Sequence, residues 1–187
     1  WLELAYAYYW SDQLVGQAIP KLIDLSQDLG ETVNLAELSG DHIIYVSRLP
    51  CKRTYFAATV IGRRLPALST SGGRAMIATF PADERDHAIE NWPLKQFTTQ
   101  TTMDRASIRR SIDEAVSQGY AISSGQMILS EIGVACPITG PDGRAFAAVQ
   151  CSVSAHTWTR ERVVADILPR LQDTANAISP SSQSHRA

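Results

Sequence analysis

Several things are scarce in this sequence. Its 187 residues include three cysteines, Cys51, Cys136 and Cys151, with no CxxC pair. An odd count without such a pair argues against a disulfide framework and a structural zinc site, and it fits a reducing cytoplasm. The four histidines are scattered with no HxxxH spacing, so neither a catalytic metal nor a cofactor is expected. Basic residues do not predominate: 17 Lys and Arg stand against 19 Asp and Glu, for a net charge of −2. Such a chain has no electrostatic footprint for gripping nucleic acid or an anionic membrane by itself. No apolar run approaches the roughly 20 residues that span a bilayer. There is no signal-peptide pattern, and an opening Trp1 is expected of a chain that begins inside a longer protein.

What is present is 44% hydrophobic and 19% charged, the balance of one globular domain with a sizeable core. WLELAYAYYW reads as the end of a helix. From Asp12 to Leu29, apolar residues at 14, 18, 22, 25 and 29 predict another helix, with Pro20 either near a helix start or at a kink, and Gly30 as the stop. The period then changes. ETVNLAEL, HIIYVSRL and YFAATVIG are β-branched and aromatic, and short turns separate them, as in an antiparallel meander. Three helices follow: one from Thr70 that Pro81 ends, one over PADERDHAIE, and one over DRASIRRSIDEAVSQG. The last is capped by Asp104, stopped by Gly119, and buries Ile108, Ile112, Ala115 and Val116. Then IGVACPIT and RAFAAVQCSV flank the turn GPDG, and a helix runs from about Thr159 to Ile178. SPSSQSHRA is a polar tail, expected to be disordered. This order gives an α+β fold with helices packed on an antiparallel sheet, one face of which can form a pocket with the crossing helices.

The string LSTSGGRAMIA, residues 68–78, carries a paired glycine. A phosphate loop needs GxxxxGK[ST], and a nucleophile elbow needs GxSxG; neither is present. The string reads instead as a helix start, with Thr70 or Ser71 as the cap and the glycines allowing close backbone approach. Such a start exposes N–H groups that can receive a small carboxylate. Cys136 and Cys151 fall on neighbouring strands, as buried apolar residues or as a redox pair. Gln150 and Ser152 alternate with Val149, Cys151 and Val153, so they line either a solvated face or a pocket floor. Arg63 and Arg64 are candidates for ion pairs with surface acids or at an interface. HTW at 156–158 is expected to start the last helix, with Trp158 packing.

Five segments in this order are similar to the effector-binding domain of IclR-family bacterial transcription regulators. They are GETVNLAEL with DHIIYVSRL, IGRRLPALSTSGGRAMIATFP, SIDEAVSQGYAIS, and IGVACPITGPDGRAFAAVQCSVS. The likeness covers about 1–178. The family segment Pro-x-x-x-(Thr/Ser)-(Ala/Gly)-x-Gly-Lys-Ala stands here as PALSTSGGRA, with Arg74 for the usual lysine. The resemblance implies a GAF/PAS-like fold, with a curved antiparallel sheet and helices packed on both sides. It implies the end of an interdomain linker helix at 1–10, an effector-binding domain at 11–179 and a tail at 180–187. A winged helix-turn-helix would precede Trp1 and read the DNA. The implied partners are a small organic acid and further copies of the chain, as dimer or tetramer.

The resemblance also marks ligand-binding positions: Thr54, Leu65, Ser71, Gly72, Ser123, Gly133, Gln150 and Ser152. Three of these depart from the family pattern. Gly133 replaces a cysteine or serine and opens volume. Ser123 stands where some members have an acid, and Gln150 where serine is common. These changes favour a larger acid than glyoxylate, an aromatic one among them. The expected function is sensing, not catalysis. The competing readings are a GAF-like thiol-dependent enzyme using Cys136 or Cys151, and a dimerisation module with no ligand.

Overall fold

The computed structural model describes residues 13–51 and 61–179. The expected linker helix at 1–10, the tail at 180–187 and most of the expected strand YFAATVIG lie outside the described residues. Only Ile61 and Gly62 of that strand are described, and they form a turn.

Helix α1 (Gln13–Leu29) carries Pro20 on its exposed side. It buries Val15, Ala18, Leu22 and Leu25, the stripe expected at helical spacing. Gly30, at φ 64°, ends it. Strands β1 (Thr32–Ser39) and β2 (His42–Leu49) form a hairpin across Gly40 and Asp41. Strand β3 (Arg64–Pro66) pairs with β2. A 3-10 turn over Ala67–Ser69 leads into α2 (Ser71–Ile77). Helices α3 (Ala82–Asn91) and α4 (Arg105–Gln118) follow, and then β4 (Ala121–Ser124), β5 (Glu131–Thr139) and β6 (Ala145–Ser154). The chain closes with a short α-turn (Arg160–Arg162) capped by Thr159, a π-helical turn (Val163–Ile167) and α5 (Leu168–Ile178).

All strand pairs are antiparallel, in the order β3-β2-β1-β6-β5-β4. Successive residues of a strand face opposite sides, and each side has its own helices. Val33, Leu35, Val134, Cys136, Val149 and Cys151 pack under α1 and α5. Ala36, Ile43, Tyr45 and Ala148 pack under α2, α3 and α4. Helices thus lie on both sides of the sheet, as the resemblance implied.

Every residue of α2 is buried. Thr70 is its cap, and the hydroxyl accepts the Gly73 N–H at 3.1 Å. The two glycines let this helix sit deep. A Cβ on Gly73 would overlap the Ala67 carbonyl, and one on Gly72 would stand 3.3 Å from Gln150 Oε1. Helix α4 is capped by Asp104 and stopped by Gly119 at φ 77°, and it buries Ile108, Ile112 and Ala115. Val116 is 46% exposed, which corrects the expectation that it joins the buried stripe. It lies one position past Ala115, about 100° further round the helix. Arg64 reaches Ser39, bonding its carbonyl at 3.1 Å, rather than an acid.

Candidate functional site

Between the start of α2 and the sheet lies a cavity of about 130 Å³. Its floor is the sheet face that carries Tyr45 and Arg48 from β2, Ser123 from β4, Glu131 and Gly133 from β5, and Gln150 and Ser152 from β6. Ser69, Thr70 and Ser71 form the roof, and Leu65 and Arg63 one wall. Phe97, Gln126, Met127 and Ile128 cover the far side.

The register explains which side chains meet here. On β5, Glu131, Gly133 and Ala135 alternate with the core residues Ile132 and Val134. Gly133 pairs with both Ser123 and Ser152, so those three positions form one row across the sheet. Gln150 pairs with Ala135 and Asn34, and Asn34 pairs with Arg48, in the next row. Arg48 reaches the cavity only because of a β-bulge. Leu35 pairs with Ser47 and Ala36 with Tyr45, which leaves Val46 unopposed. One extra residue shifts the alternation by one, so Tyr45 and Arg48, three apart, share the cavity face.

A chain of hydrogen bonds crosses the floor. The Tyr45 hydroxyl donates to Gln150 Oε1 at 2.8 Å. Gln150 Nε2 donates to Ser152 Oγ at 3.3 Å, and the Ser152 hydroxyl in turn stabilises the charged form of the Glu131 carboxylate. Burial, and then the Glu131 charge, push the Tyr45 phenol upward, so it stays a donor. Burial also raises the Glu131 carboxyl above the ordinary glutamate value, while Arg48 and the Ser152 hydroxyl pull it back.

Among the described residues, two buried polar atoms have no hydrogen-bond partner: Ser71 Oγ and Asn34 Nδ2. Each of these residues is 1% exposed, and an unsatisfied buried group costs about 1–3 kcal/mol. Ser71 borders the space at Gly133. A Cβ added to Gly133 would lie 2.9 Å from Ser71 Oγ and 3.4 Å from both Gln150 Nε2 and Ser123 Oγ. Three polar groups therefore converge on volume that exists because residue 133 has no side chain.

Arg74 lies behind the roof, only 4% exposed. Its Nε donates to the Leu68 carbonyl at 2.7 Å, and its other nitrogens to Ser111 Oγ at 3.2 Å and Gln126 Oε1 at 3.3 Å. All three acceptors are neutral, and burial lowers its pKa to about 10. Gln126 also accepts from the Thr102 N–H and donates to the Gln100 and Ser124 carbonyls. Arg74 thus ties α2 to the loops that cover the cavity.

Of the positions marked in the sequence, the structure brings Leu65, Ser71, Ser123, Gly133, Gln150 and Ser152 to this one cavity. Gly72 does not line it and packs against Ala36, Ile43 and Gln150 instead. Thr54 lies outside the described residues. Sequence reasoning missed Tyr45, Arg48, Glu131 and Gln126, and it did not place Arg63 on the cavity wall. Glu131 had a usable signal, because it stands two residues before Gly133 and so shares its strand face. Arg48 had none, because plain alternation puts it opposite Tyr45.

The helix start itself is a modest anion site. Seven residues make a short dipole, and Thr70 already satisfies one of the first N–H groups. Arg48 on the floor and Arg63 on the wall are stronger attractions for a negative charge. The thiols are elsewhere: Cys136 and Cys151 lie under α1 and α5, on the other side of the sheet. Burial pushes the Cys136 thiol up to about 12 and raises that of Cys151 as well, the reverse of a reactive thiol. Among the described residues, no group of three or more His, Cys, Asp or Glu could hold a metal, and no helix is long and apolar enough to cross a membrane.

This fold agrees with the comparison to known families. The family model for the bacterial transcriptional regulator IclR C-terminal region matches residues 7–180. The chain belongs to this family. The Pca regulon regulatory protein of Pseudomonas putida is 30% identical to it over 171 residues, which is 91% of this chain. The match spans 59% of that protein's length, so the chain corresponds to little more than half of such an IclR-family regulator. The Thermotoga maritima IclR structure superimposes with a TM-score of 0.88 at 22% identity, over 95% of this chain and 71% of that one. The inducer-binding domain of PobR from Acinetobacter, a double mutant in complex with 3-hydroxybenzoic acid, superimposes with a TM-score of 0.78 at 25% identity. That match covers 89% of this chain and 96% of the other. These relatives are regulators, and together with the thiols under α1 and α5 they leave the thiol-dependent enzyme without support.

Proposed function

We propose that residues 11–179 form the sensing half of a transcription regulator and bind a small single-ring carboxylic acid in the cavity beneath α2. Occupancy would bias the arrangement of associated copies and so set the spacing of DNA-reading domains carried on the rest of the regulator. The observation that carries this reading is the convergence of the unpartnered Ser71 hydroxyl, Gln150 and Ser123 on the space left by Gly133. A ligand oxygen there would satisfy the orphaned group. The volume of about 130 Å³ is close to the roughly 150 Å³ of an engineered apolar cavity that takes up benzene. Two arginines and one glutamate in the lining leave one positive charge, which a monocarboxylate neutralises. The 3-hydroxybenzoic acid bound by the PobR domain supports an acid of that size. In this reading Leu65, Ser71, Ser123, Gly133, Gln150 and Ser152 contact the ligand, and Gly72 backs Gln150.

Thermal unfolding against a panel of keto acids and benzoates tests it. A ligand at 100 times its dissociation constant adds about 2.7 kcal/mol, a readily seen rise in Tm. A ring acid should raise Tm in the native chain and not in Ser71→Trp. A folded chain that responds to no carboxylate would contradict the proposal.

A further inference from the structure

Glu131 is unexpected in a cavity suited to an acid. It lines the floor and adds a negative charge there. A leucine or methionine would fill the same position without that repulsion. Inside the site one hydroxyl, that of Ser152, stabilises its carboxylate, whereas two oxygens offer about four acceptor positions. No ion pair among the described residues includes Glu131, and Arg48 acts on it from beyond contact distance. The direction of the hydrogen-bond chain fixes its role. Tyr45 donates to Gln150 and Gln150 to Ser152, which leaves the Ser152 hydroxyl hydrogen to stabilise the Glu131 carboxylate, so Glu131 stands at the acceptor end of the line with capacity left over.

Its position supplies the second half of the argument. Glu131 and Gly133 are on the same strand face, two residues apart, and two residues span roughly 7 Å of strand. The polar groups around Gly133 and the carboxylate of Glu131 therefore sit at two separate points along the floor. That separation suits one ring with a substituent at each end.

Resting on the effector reading above, we propose that Glu131 is a specificity-determining residue: it accepts a hydrogen bond from a hydroxyl on the effector's ring, at the end away from the effector's carboxylate. The chain then selects hydroxylated ring acids over unsubstituted ones. Rejection of the plain acid follows because it leaves a buried carboxylate facing carbon.

Calorimetric titration of the folded chain with benzoate, 3-hydroxybenzoate and 4-hydroxybenzoate tests this, alongside Glu131→Leu and Glu131→Gln. The native chain should bind one of the hydroxybenzoates at least tenfold more tightly than benzoate, as expected for a hydrogen bond to a charged acceptor. Glu131→Leu should bring the acids to within about twofold of each other by tightening benzoate. Glu131→Gln keeps a neutral acceptor of about half the strength, so it should retain a reduced preference; it also serves if the leucine variant fails to fold. An undiminished preference in either variant overturns the inference, as does a native chain that binds benzoate as tightly as both hydroxybenzoates, and in both cases the effector reading stands. Failure of all three acids to bind the folded native chain overturns both.

Discussion

Val33, Leu35, Val149 and Cys151 face one side of the sheet, while Asn34, Gln150 and Ser152, their neighbours in the chain, face the other. The first side is closed by α1 and α5 and is mainly apolar, with Ser47 a buried polar residue beside Leu35. The second carries a line of hydrogen bonds, two unpartnered polar atoms, a half-buried glutamate and a cavity. The strands β1, β5 and β6 serve both. One side supplies the burial that stabilises the fold, at about 25 cal/mol per Å². The other holds groups that cost stability, as functional sites do.

Substitutions should separate the two sides. The largest loss is expected on the apolar side. Leu171→Ala removes a fully buried side chain beneath α5 and should cost about 3 kcal/mol in denaturant unfolding, with ligand affinity per folded molecule unchanged. Next comes Arg74→Lys, which restores the residue usual in the family. A lysine cannot make the three-way fork to Leu68, Ser111 and Gln126, and a loss of about 2 kcal/mol is expected. The cover loops should then exchange amide hydrogens faster.

Changes on the cavity floor should be milder for the fold and harsher for binding. Gly133→Ala places a methyl 2.9 Å from Ser71 Oγ, a hydroxyl that can rotate away. Stability should shift by less than about 1 kcal/mol, while affinity for a ring acid falls at least tenfold. Ser71→Ala deletes an unsatisfied buried hydroxyl, so the unliganded protein should be unchanged or more stable by up to about 1 kcal/mol, with weaker binding.

The smallest effect, and the one tied to pH, is at Glu131. Its folded pKa is raised, so the folded state holds that proton more tightly than the unfolded state does. This contribution to stability is complete below the ordinary glutamate value of about 4.3 and is lost as pH rises through the folded pKa. Glu131→Gln should therefore have a higher Tm than the native chain at pH 7, and the gap should close as pH falls toward 4. A gap that widens on acidification would refute the assignment.

The element order was legible because its signals are local. Thr70, Asp104, Gly119 and the GPDG turn each mark a boundary by their own chemistry, and β-branched alternation marked β1, β2, β5 and β6. Strands β3 and β4 were not resolved as such. At three and four residues, they are held by pairing with β2 and β5 rather than by any pattern of their own. The cavity was half legible. Gln150 and Ser152 alternate plainly with apolar residues, but whether that polar face met water or a helix depended on where α2 lay. The depth of α2 depends on Gly73 resting against Ala67, a contact between chain segments. Arg48 shows the limit most clearly, because a single bulge residue, Val46, reverses the face it occupies.

The most direct test is titration of 3-hydroxybenzoate and 4-hydroxybenzoate into the native chain and into Gly133→Val, with folding of both checked by thermal unfolding. The account predicts that at least one acid binds the native chain at one site per chain and that the folded variant, its cavity filled at residue 133, binds neither. Equal binding by the two proteins, or none by the folded native chain, would contradict it.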